Sequence, residues 1–453
     1  MLSVIGSVSY MQLNSKIHTF SSAGITGTHK KSVAGSENIL LIGSDTRSGD
    51  NKRFGGAGDS VGRSDTTVVV HLYPGHQRAV AFSIPRDSLV TVPRCRLPNG
   101  SWSSPQHDVM FNSAFSVGET KQGNPACTLN TVQQLTGLTI DHTVVANFAG
   151  FAGLSKAVGG VPVCLPKDIY QGDLDPNRQT RGSLIFHRGR QLVSGAKALQ
   201  YVRIRHGIGD GSDIGRIERQ QAFLGSLIMT IKKQGLTASH LLPLVNAATA
   251  NLTFDPSLST PAKLLSFAMS MRNFNPHHVD FLTVPWAYAG ARVKIVEPDA
   301  SHLFQALRTN QPLHSAGQQK KVQAKVKAAS QKKKQPVDDK SAPVAIDNGT
   351  NKTGFAGRTG DKLKKLGYTV GAVGNASRSN YTESVIAYGP GNETEAKTLA
   401  RDLSAKLEPT KTPGIKLTLG SRLQWKAPTA LPSSVTKGIR TANTNPCSKV
   451  SYG

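Results

Sequence analysis

SDTTVVVHLYPGHQRAVAFSIPRD, residues 64–87, contains two apolar runs separated by Pro74-Gly75, and each run ends in charged residues. A Pro-Gly pair between strand-like runs predicts a hairpin. Upstream, ENILLIGSDTR (37–47) is a short buried-strand pattern, Ile39 to Ile42, closing on Gly43 and a polar turn. Downstream come helical patterns at Leu129–Leu135, Phe148–Val158 and Ala196–Arg205, with Gly159-Gly160-Val161-Pro162-Val163 leading back to a strand. A longer helix from Ile214 to about Lys232 sets Ile217, Leu224, Leu227 and Ile228 on one side. Two more helices, near Leu241–Ala250 and Pro261–Met271, precede a strand at Val279–Val284. This alternation predicts an α/β core, a mixed central sheet with helices on both faces.

The 453 residues leave room for two or three domains. Residues 1–35 are expected to be the remnant of a membrane anchor and its stalk. MLSVIGSVSYMQL is apolar but about 13 residues long, against the roughly 20 a span needs, and polar QLNSKIHTFSS follows. The core domain is expected over 36–309, a basic disordered linker over 310–342, a small α/β domain over 343–419 and an irregular tail over 420–453. The small domain reads strand, Gly turn, helix, strand, strand, helix.

Formal net charge is +26, from 54 Lys and Arg against 28 Asp and Glu, which calls for an anionic partner. Much of it lies in QQKKVQAKVKAASQKKKQPVDDK (318–340), a run with no core-facing period and no interleaved aromatics. Nucleic acid is therefore set aside as a partner. Cys95, Cys127, Cys164 and Cys447 have no zinc spacing, and isolated cysteines in even number fit disulfides outside the cytoplasm. Cys95 and Cys127 bracket a loop rich in Pro, Asn, Ser and Gly and are the first pair to expect. The partnership of Cys164 and Cys447 stays open.

The residues able to do chemistry gather where strands end, the place where open α/β sheets bind ligands. Asp45 and Arg47 follow the first strand, Arg63 and Asp65 begin the second, and Arg86 and Asp87 close the third. If the first two strands are neighbours, Asp45 and Asp65 meet at one edge and can hold Mg²⁺ or Mn²⁺, with water and phosphate oxygens completing the shell. YVRIRHGIGDGSDIGRIERQ (201–220) sets Arg203, Arg205, Arg216 and Arg219 about a Gly-rich turn with Asp210 and Asp213. Guanidinium groups bind phosphate bidentately and keep their charge. The competing reading is a solvated helix end with surface ion pairs. Asn112 and Asn147 sit in apolar surroundings, as helix caps or site residues. There is no nucleotide P-loop, no HExxH and no nucleophile elbow around Ser44, and the histidines are dispersed.

NILLIGSDTR, GRSDTTVV, SIPRDSLV, FNSAF, NFAGFAGLSKAVGGV, ALQYVRIRHGIGDGSDIGRIERQQ and the DNGT…GFA segment together resemble the LytR-CpsA-Psr (LCP) family with its LytR C-terminal domain, the actinobacterial versions in particular. The resemblance covers about Ser36 to Thr309 and Pro343 to Leu407. It implies an enzyme anchored by a single pass at the extracytoplasmic face of the membrane. Such an enzyme moves a glycopolymer from a polyprenyl diphosphate carrier to a peptidoglycan sugar hydroxyl, with pyrophosphatase activity as a side reaction. By the same resemblance Asp45 and Asp65 are Mg²⁺ ligands. Arg63, Arg86, Arg203, Arg205, Arg216 and Gln220 bind the diphosphate and Asp213 orients the arginines, with Arg47 and Asn112 as further candidates for diphosphate binding beside the family's set. Asp45, Asp87, Arg63, Arg86 and Arg216 carry the catalysis, either Asp87 or Asp45 taking the acceptor's proton. Phe115, Phe148, Phe151, Phe223, Leu227 and Ile228 are candidates for lining the lipid, against ordinary core packing. Arg219 has no counterpart and is assigned to the surface. A membrane-tethered regulator and a noncatalytic wall-polymer binder remain the alternatives.

Overall fold

A computed structural model describes residues 14–15, 17–26, 35–46, 51–52, 61–117, 125–174, 179–204, 208, 211–235, 238–313, 342–365, 368–403, 405–425, 439–442 and 447. Arg47, Arg205 and Asp210, the apolar stretch 1–13 expected to belong to an anchor, and the basic run at 318–340 lie outside them. Among the described residues no helix is long and apolar enough to cross a membrane. The chain forms two compact units, Met1–Ile295 with Lys437–Gly453, and Val296–Thr436.

The first unit is built on one mixed sheet. Its strands are β1 (His18–Thr19), β2 (Glu37–Ser44), β3 (Ser64–Leu72), β4 (Ala79–Ser83), β5 (His142–Ala146), β6 (Leu252–Phe254) and β7 (Val279–Thr283). Across the sheet they run β1-β6-β5-β2-β3-β4-β7, and the short strand Arg440–Thr441 pairs antiparallel outside β7. The hairpin read from residues 64–87 is β3–β4, turning at Gly75 with φ +80°.

In β2, β3 and β4 both alternating sets are buried. Leu40, Ile42, Val69, Val80 and Phe82 point one way, Ile39, Val68, Ala79 and Ala81 the other. A strand covered on both faces needs a near-continuous apolar run, and these have one.

The helices that position the site are α1 (Pro125–Thr136), α2 (Phe148–Ala157), α3 (Gly195–Arg203) and α4 (Asp213–Gln234). Ser212 caps α4, its hydroxyl accepting from Gly215 N at 3.0 Å, and the helix stops at Gly235, φ +83°. α4 is a wedge, which the sequence reading of a single apolar side did not foresee. Leu224 and Ile228 pack with Ile39, Val68 and Phe281 on the sheet, whereas Leu227 packs with Phe148, Tyr201 and Phe223. Leu227 and Ile228 are about 100° apart around a helix of 3.6 residues per turn, so adjacent residues serve different clusters. Phe151 and Phe223 stack at 5.0 Å in the second cluster, and Phe115 is fully buried. Of the six proposed lipid-lining residues, Phe115, Phe148 and Phe223 are buried, and Phe151, Leu227 and Ile228 are partly buried against the two clusters.

Two disulfides form, Cys95–Cys127 and Cys164–Cys447. The second, with the strand Arg440–Thr441, brings part of the segment read as an irregular tail onto the first unit. Ala442 crosses α4 at Gly225, where an added Cβ would lie 3.2 Å from the Ala442 backbone.

In the second unit the strands are Val344–Asn348, Val370–Asn375, Ser384–Tyr388, Ala405–Pro409 and Ile415–Leu419, with helices Phe355–Lys365 and Glu393–Asp402. The last two strands go beyond the sequence reading. Helix Asp299–Arg308 groups with this unit, although the reading placed the core's end near Thr309.

Candidate functional site

Because β3 runs antiparallel to both β2 and β4, the last residues of β2 and β4 and the first of β3 share one edge of the sheet. β7, parallel to β4 with Thr283 opposite Ser83, ends there too. The β2–β3 ladder closes on Ser44 opposite Ser64, after an irregularity in register. Beyond it Asp45 Oδ1 accepts from Arg63 N at 2.6 Å, and Asp45 N donates to Arg63 O at 3.2 Å. Asp45 and Asp65 thus leave adjacent strands on either side of Arg63. Gly62, φ +81°, makes this corner possible. A Cβ there would lie 2.5 Å from Thr46 N and 2.9 Å from Asp45 Oδ1.

Arg86 is the centre of the cluster. Its Nη1 is 2.9 Å from Asp65 Oδ1, and its Nε is 3.0 Å from Asp213 Oδ1 and 3.7 Å from Asp87 Oδ2. Arg216, 4% exposed, pairs with the same Asp213. Strand ends and the α4 terminus are therefore joined through one carboxylate held between two guanidinium groups. Burial pushes the Asp213 carboxyl above its ordinary 3.8, although Arg216 and Arg86 pull it down, because Asp87 and Asp65 add to the upward push. Burial depresses Arg86, but Asp213, Asp65 and Asp87 together outweigh it and raise its pKa. Arg292 Nη1 reaches to 4.0 Å from Asp87 Oδ1.

Asn112 is 3% exposed in the 3₁₀ helix Phe111–Ser116 and donates its backbone N–H to Arg86 O at 3.0 Å. Its side-chain Oδ1, like Asp213 Oδ2, is buried without a hydrogen-bond partner. Buried acceptors left open beside arginines and carboxylates suit a ligand that brings a cation or a donor. Asn147 is a cap, its Oδ1 accepting from Gly150 N at 2.8 Å at the start of α2. Arg203, exposed at the end of α3, lies with its guanidinium 4.4 Å over the Phe148 ring. His71 is buried and bonded to Asn38 Oδ1 at 2.8 Å, a structural histidine.

Three consecutive residues of α4 make ties within the fold, and one of them, Arg219, departs from the sequence reading. Arg219 is not at the surface; it is 0% exposed and donates to the carbonyl of Ile204, the C-cap of α3. Gln220, assigned to the diphosphate, accepts from Thr66 Oγ1 at 3.1 Å and donates to Val202 O at 3.4 Å. Gln221 Nε2 lies 2.9 Å from both Ser83 Oγ and Leu282 O, at the ends of β4 and β7. Successive helix positions point about 100° apart. The triplet therefore ties α4 to α3, β3, β4 and β7, one turn behind Arg216. Arg440 adds a tie from the far strand, Nη1 donating to Glu218 O at 3.1 Å, and burial lowers its guanidinium to about 10.

Asp45 and Asp65 supply hard oxygen donors at one corner, the donor type Mg²⁺ takes, while Asp65 also faces Arg86. No group of three or more His, Cys, Asp or Glu that could hold a metal gathers among the described residues. A two-carboxylate site finished by water and substrate fits this donor set.

Carboxylates interleaved with guanidinium groups at the strand ends of an α/β sheet define a site for a multiply charged anion. The sequence profile of the LytR_cpsA_psr family matches residues 7–312, and the chain belongs to that family. A second profile, LytR cell envelope-related transcriptional attenuator, matches residues 341–422. The chain is similar to the cell wall biosynthesis protein LcpA of Corynebacterium glutamicum, 29% identical over 81% of this chain and 71% of LcpA. It is also similar to the polyisoprenyl-teichoic acid–peptidoglycan teichoic acid transferase TagV of Bacillus subtilis, 28% identical over 55% of this chain and 59% of TagV. This chain thus covers less than two thirds of TagV. A solved LytR-Csp2A-Psr enzyme from Actinomyces oris superimposes with a TM-score of 0.47 and 17% identity, covering 64% of this chain and 96% of that one.

Proposed function

We propose that the protein is a phosphotransferase of cell-wall assembly, acting at the extracytoplasmic face of the membrane on a glycopolymer carried by polyprenyl diphosphate. The observation that carries this reading is Arg86, held among Asp65, Asp213 and Asp87 with Arg216 paired to the same Asp213. A guanidinium pre-oriented by carboxylates is ready to receive a phosphate without reorganising.

In the transfer, a peptidoglycan sugar hydroxyl attacks the phosphorus that bears the glycopolymer. The bond from that phosphorus to the polyprenyl phosphate oxygen breaks, a phosphodiester forms, and polyprenyl phosphate leaves with the electron pair. Arg86 and Arg216, with Arg63 and Arg203 at the rim, bind the diphosphate and offset charge gathering on the leaving phosphate. Asp87 or Asp45 takes the acceptor's proton. Asp45 and Asp65 are the residues that would hold Mg²⁺, which would supply Lewis-acid neutralisation of phosphate oxygens. The names of LcpA and TagV, wall biosynthesis and teichoic acid transfer, support the same class of reaction. The two disulfides favour a compartment that permits them.

The test is transfer from a synthetic lipid diphosphate-linked sugar to peptidoglycan fragments, with and without EDTA. Turnover that chelation stops is expected, together with loss of lipid diphosphate binding in Arg216→Ala and Arg205→Ala. Binding unchanged in both variants would remove the site assignment, and turnover indifferent to EDTA would remove the metal.

A further inference from the structure

Strands Val344–Asn348, Val370–Asn375 and Ile415–Leu419 are parallel neighbours, with Asn348 opposite both Asn375 and Leu419, so their carboxyl ends coincide. The loops that follow are stitched together. Ala376 N donates to Asn348 O, Tyr381 N to Gly349 O, Gly349 N to Leu419 O, Ser421 N to Tyr381 O and Arg422 N to Thr382 O, all at 2.9–3.1 Å. Inside the first loop Asn348 Nδ2 donates to Lys352 O at 2.9 Å and its Oδ1 accepts from Thr350 N and Oγ1. The platform is therefore rigid in its backbone.

Its side chains are of two kinds. Lys352, Arg358, Arg378 and Arg422 are exposed, and Glu383 is the single acid among loop residues 349–354, 376–383 and 420–425. Tyr381 and Phe355 are half-buried rings, with the Arg378 guanidinium 5.8 Å from the first and Lys352 Nζ 5.5 Å from the second. Gly349 makes room for the Tyr381 ring, since a Cβ there would lie 2.7 Å from its Cδ2. Carboxylates are also found at the other end of the sheet. Glu395 accepts from Ala342 N at 2.6 Å, and Glu408 sits at the end of Ala405–Pro409. The exposed cations thus stand on the edge where open α/β sheets take ligands, near Asp347, which pairs with Lys416.

We infer that this face of the small unit binds a phosphate-bearing glycan chain, arginines and lysine on the phosphodiesters and the rings of Tyr381 and Phe355 under the sugars. A pyranose presents an apolar C–H face that stacks on a ring and a polar edge that does not. Exposed guanidinium groups beside the rings meet the charge between sugars. The inference rests on the transferase reading for its choice of polymer, and it assigns the unit the task of holding polymer that the first unit transfers.

The experiment uses the full chain and a fluorescent oligo(glycerol phosphate) of about ten units, with neutral dextran as its uncharged counterpart, read by anisotropy at several salt concentrations. Arg378→Gln with Arg422→Gln is expected to weaken oligomer binding about tenfold and to flatten its salt dependence. Tyr381→Ala is expected to weaken it several-fold, and Lys332→Gln with Lys333→Gln and Lys334→Gln in the basic run by less than twofold. The Arg378, Arg422 and lysine substitutions are at exposed positions or in the basic run, Tyr381 and Arg216 are not exposed, and thermal unfolding checks the fold of every variant. Arg216→Ala separates this inference from the transferase reading. Polymer binding retained there while lipid binding is lost supports the inference whatever the transfer assay gives. Oligomer affinity unchanged in the Arg378/Arg422 variant overturns it. So does loss confined to Arg216→Ala or to the linker variant, or a preference for anionic phospholipid vesicles over the oligomer.

Discussion

The two units place cations at the carboxyl ends of parallel strands in opposite ways. In the first, the side chains of Arg86 and Arg216 are 18% and 5% exposed and are gripped by Asp65, Asp87 and Asp213. In the second, Lys352, Arg378 and Arg422 at those ends are exposed, and the ion-pairing Lys397 and Lys406 elsewhere in the unit are 62% and 66% exposed. Removing charge from water costs several kcal/mol per ion before pairing offsets it, and replacing a buried pair by apolar groups is often stabilising. The small unit buries carboxylates, Glu395 and Asp402, but no guanidinium group among its described residues. On the proposed function, the buried cluster of the first unit serves the ligand rather than the fold.

The largest expected effect follows from that contrast. Arg86→Lys keeps the charge but loses the planar fork that touches Asp65 and Asp213 at once. Single-turnover transfer at saturating donor is expected to fall by about 10²–10³-fold. Lys397→Ala and Lys406→Ala, exposed ion-pair partners in the second unit, are expected to change it less than twofold. Comparable losses on both sides would mean that the buried cluster is no more than part of the scaffold.

Much of this contrast can be read from residues alone, and the limits are physical. β2, β3 and β4 are short apolar runs ended by charges, a local pattern, so both the strands and the acids and arginines at their ends were legible. Helix α4 was legible in extent, because Ser212 and Gly235 are local start and stop signals. The direction of each of its residues was not. Arg219 looks like any surface arginine until α3 is placed beside it, since its partner is a backbone carbonyl fifteen residues away. The strand Arg440–Thr441 has too few residues for any period, and it exists because β7 offers an open edge. Ile415, Leu417 and Leu419, all buried, do alternate with exposed or half-buried neighbours. That signal was present, hidden by the Pro, Ser and Thr around it.

An intermediate effect is expected at Gly62. Alanine there combines φ +81° with contacts of 2.5 and 2.7 Å to the Thr46 backbone, so the corner must move. The strain is about 1–3 kcal/mol, and Asp45, 2.9 Å from the new Cβ, moves with it. Gly62 O also accepts from Ser116 Oγ at 2.9 Å, which couples the shift to the 3₁₀ helix that carries Asn112. Transfer should then need about tenfold more Mg²⁺ for half-maximal rate, with donor binding much less affected. An unchanged Mg²⁺ requirement would detach Asp45 from the metal. The same substitution at Gly391, where a Cβ meets nothing within 4 Å, has no such consequence for the first unit.

The smallest effect is on stability, and its sign tests whether the cluster is held against the fold's interest. The folded chain binds the Asp213 proton more tightly than the unfolded chain does, because burial raises its pKa above 3.8. Stability from this group is therefore present at acid pH and is lost as pH rises through the raised value. Asp213→Asn stays neutral throughout. Its unfolding free energy relative to the parent should increase from pH 3 to pH 7, measured by urea denaturation at each pH, although the variant is expected to lose transfer. If Asp213 instead stabilised the fold through Arg86 and Arg216, the variant would fall further behind the parent as pH rises, and the cluster would be explained by structure alone. A gain in stability with a loss of function would place Asp213 among residues retained for the anion they help to bind.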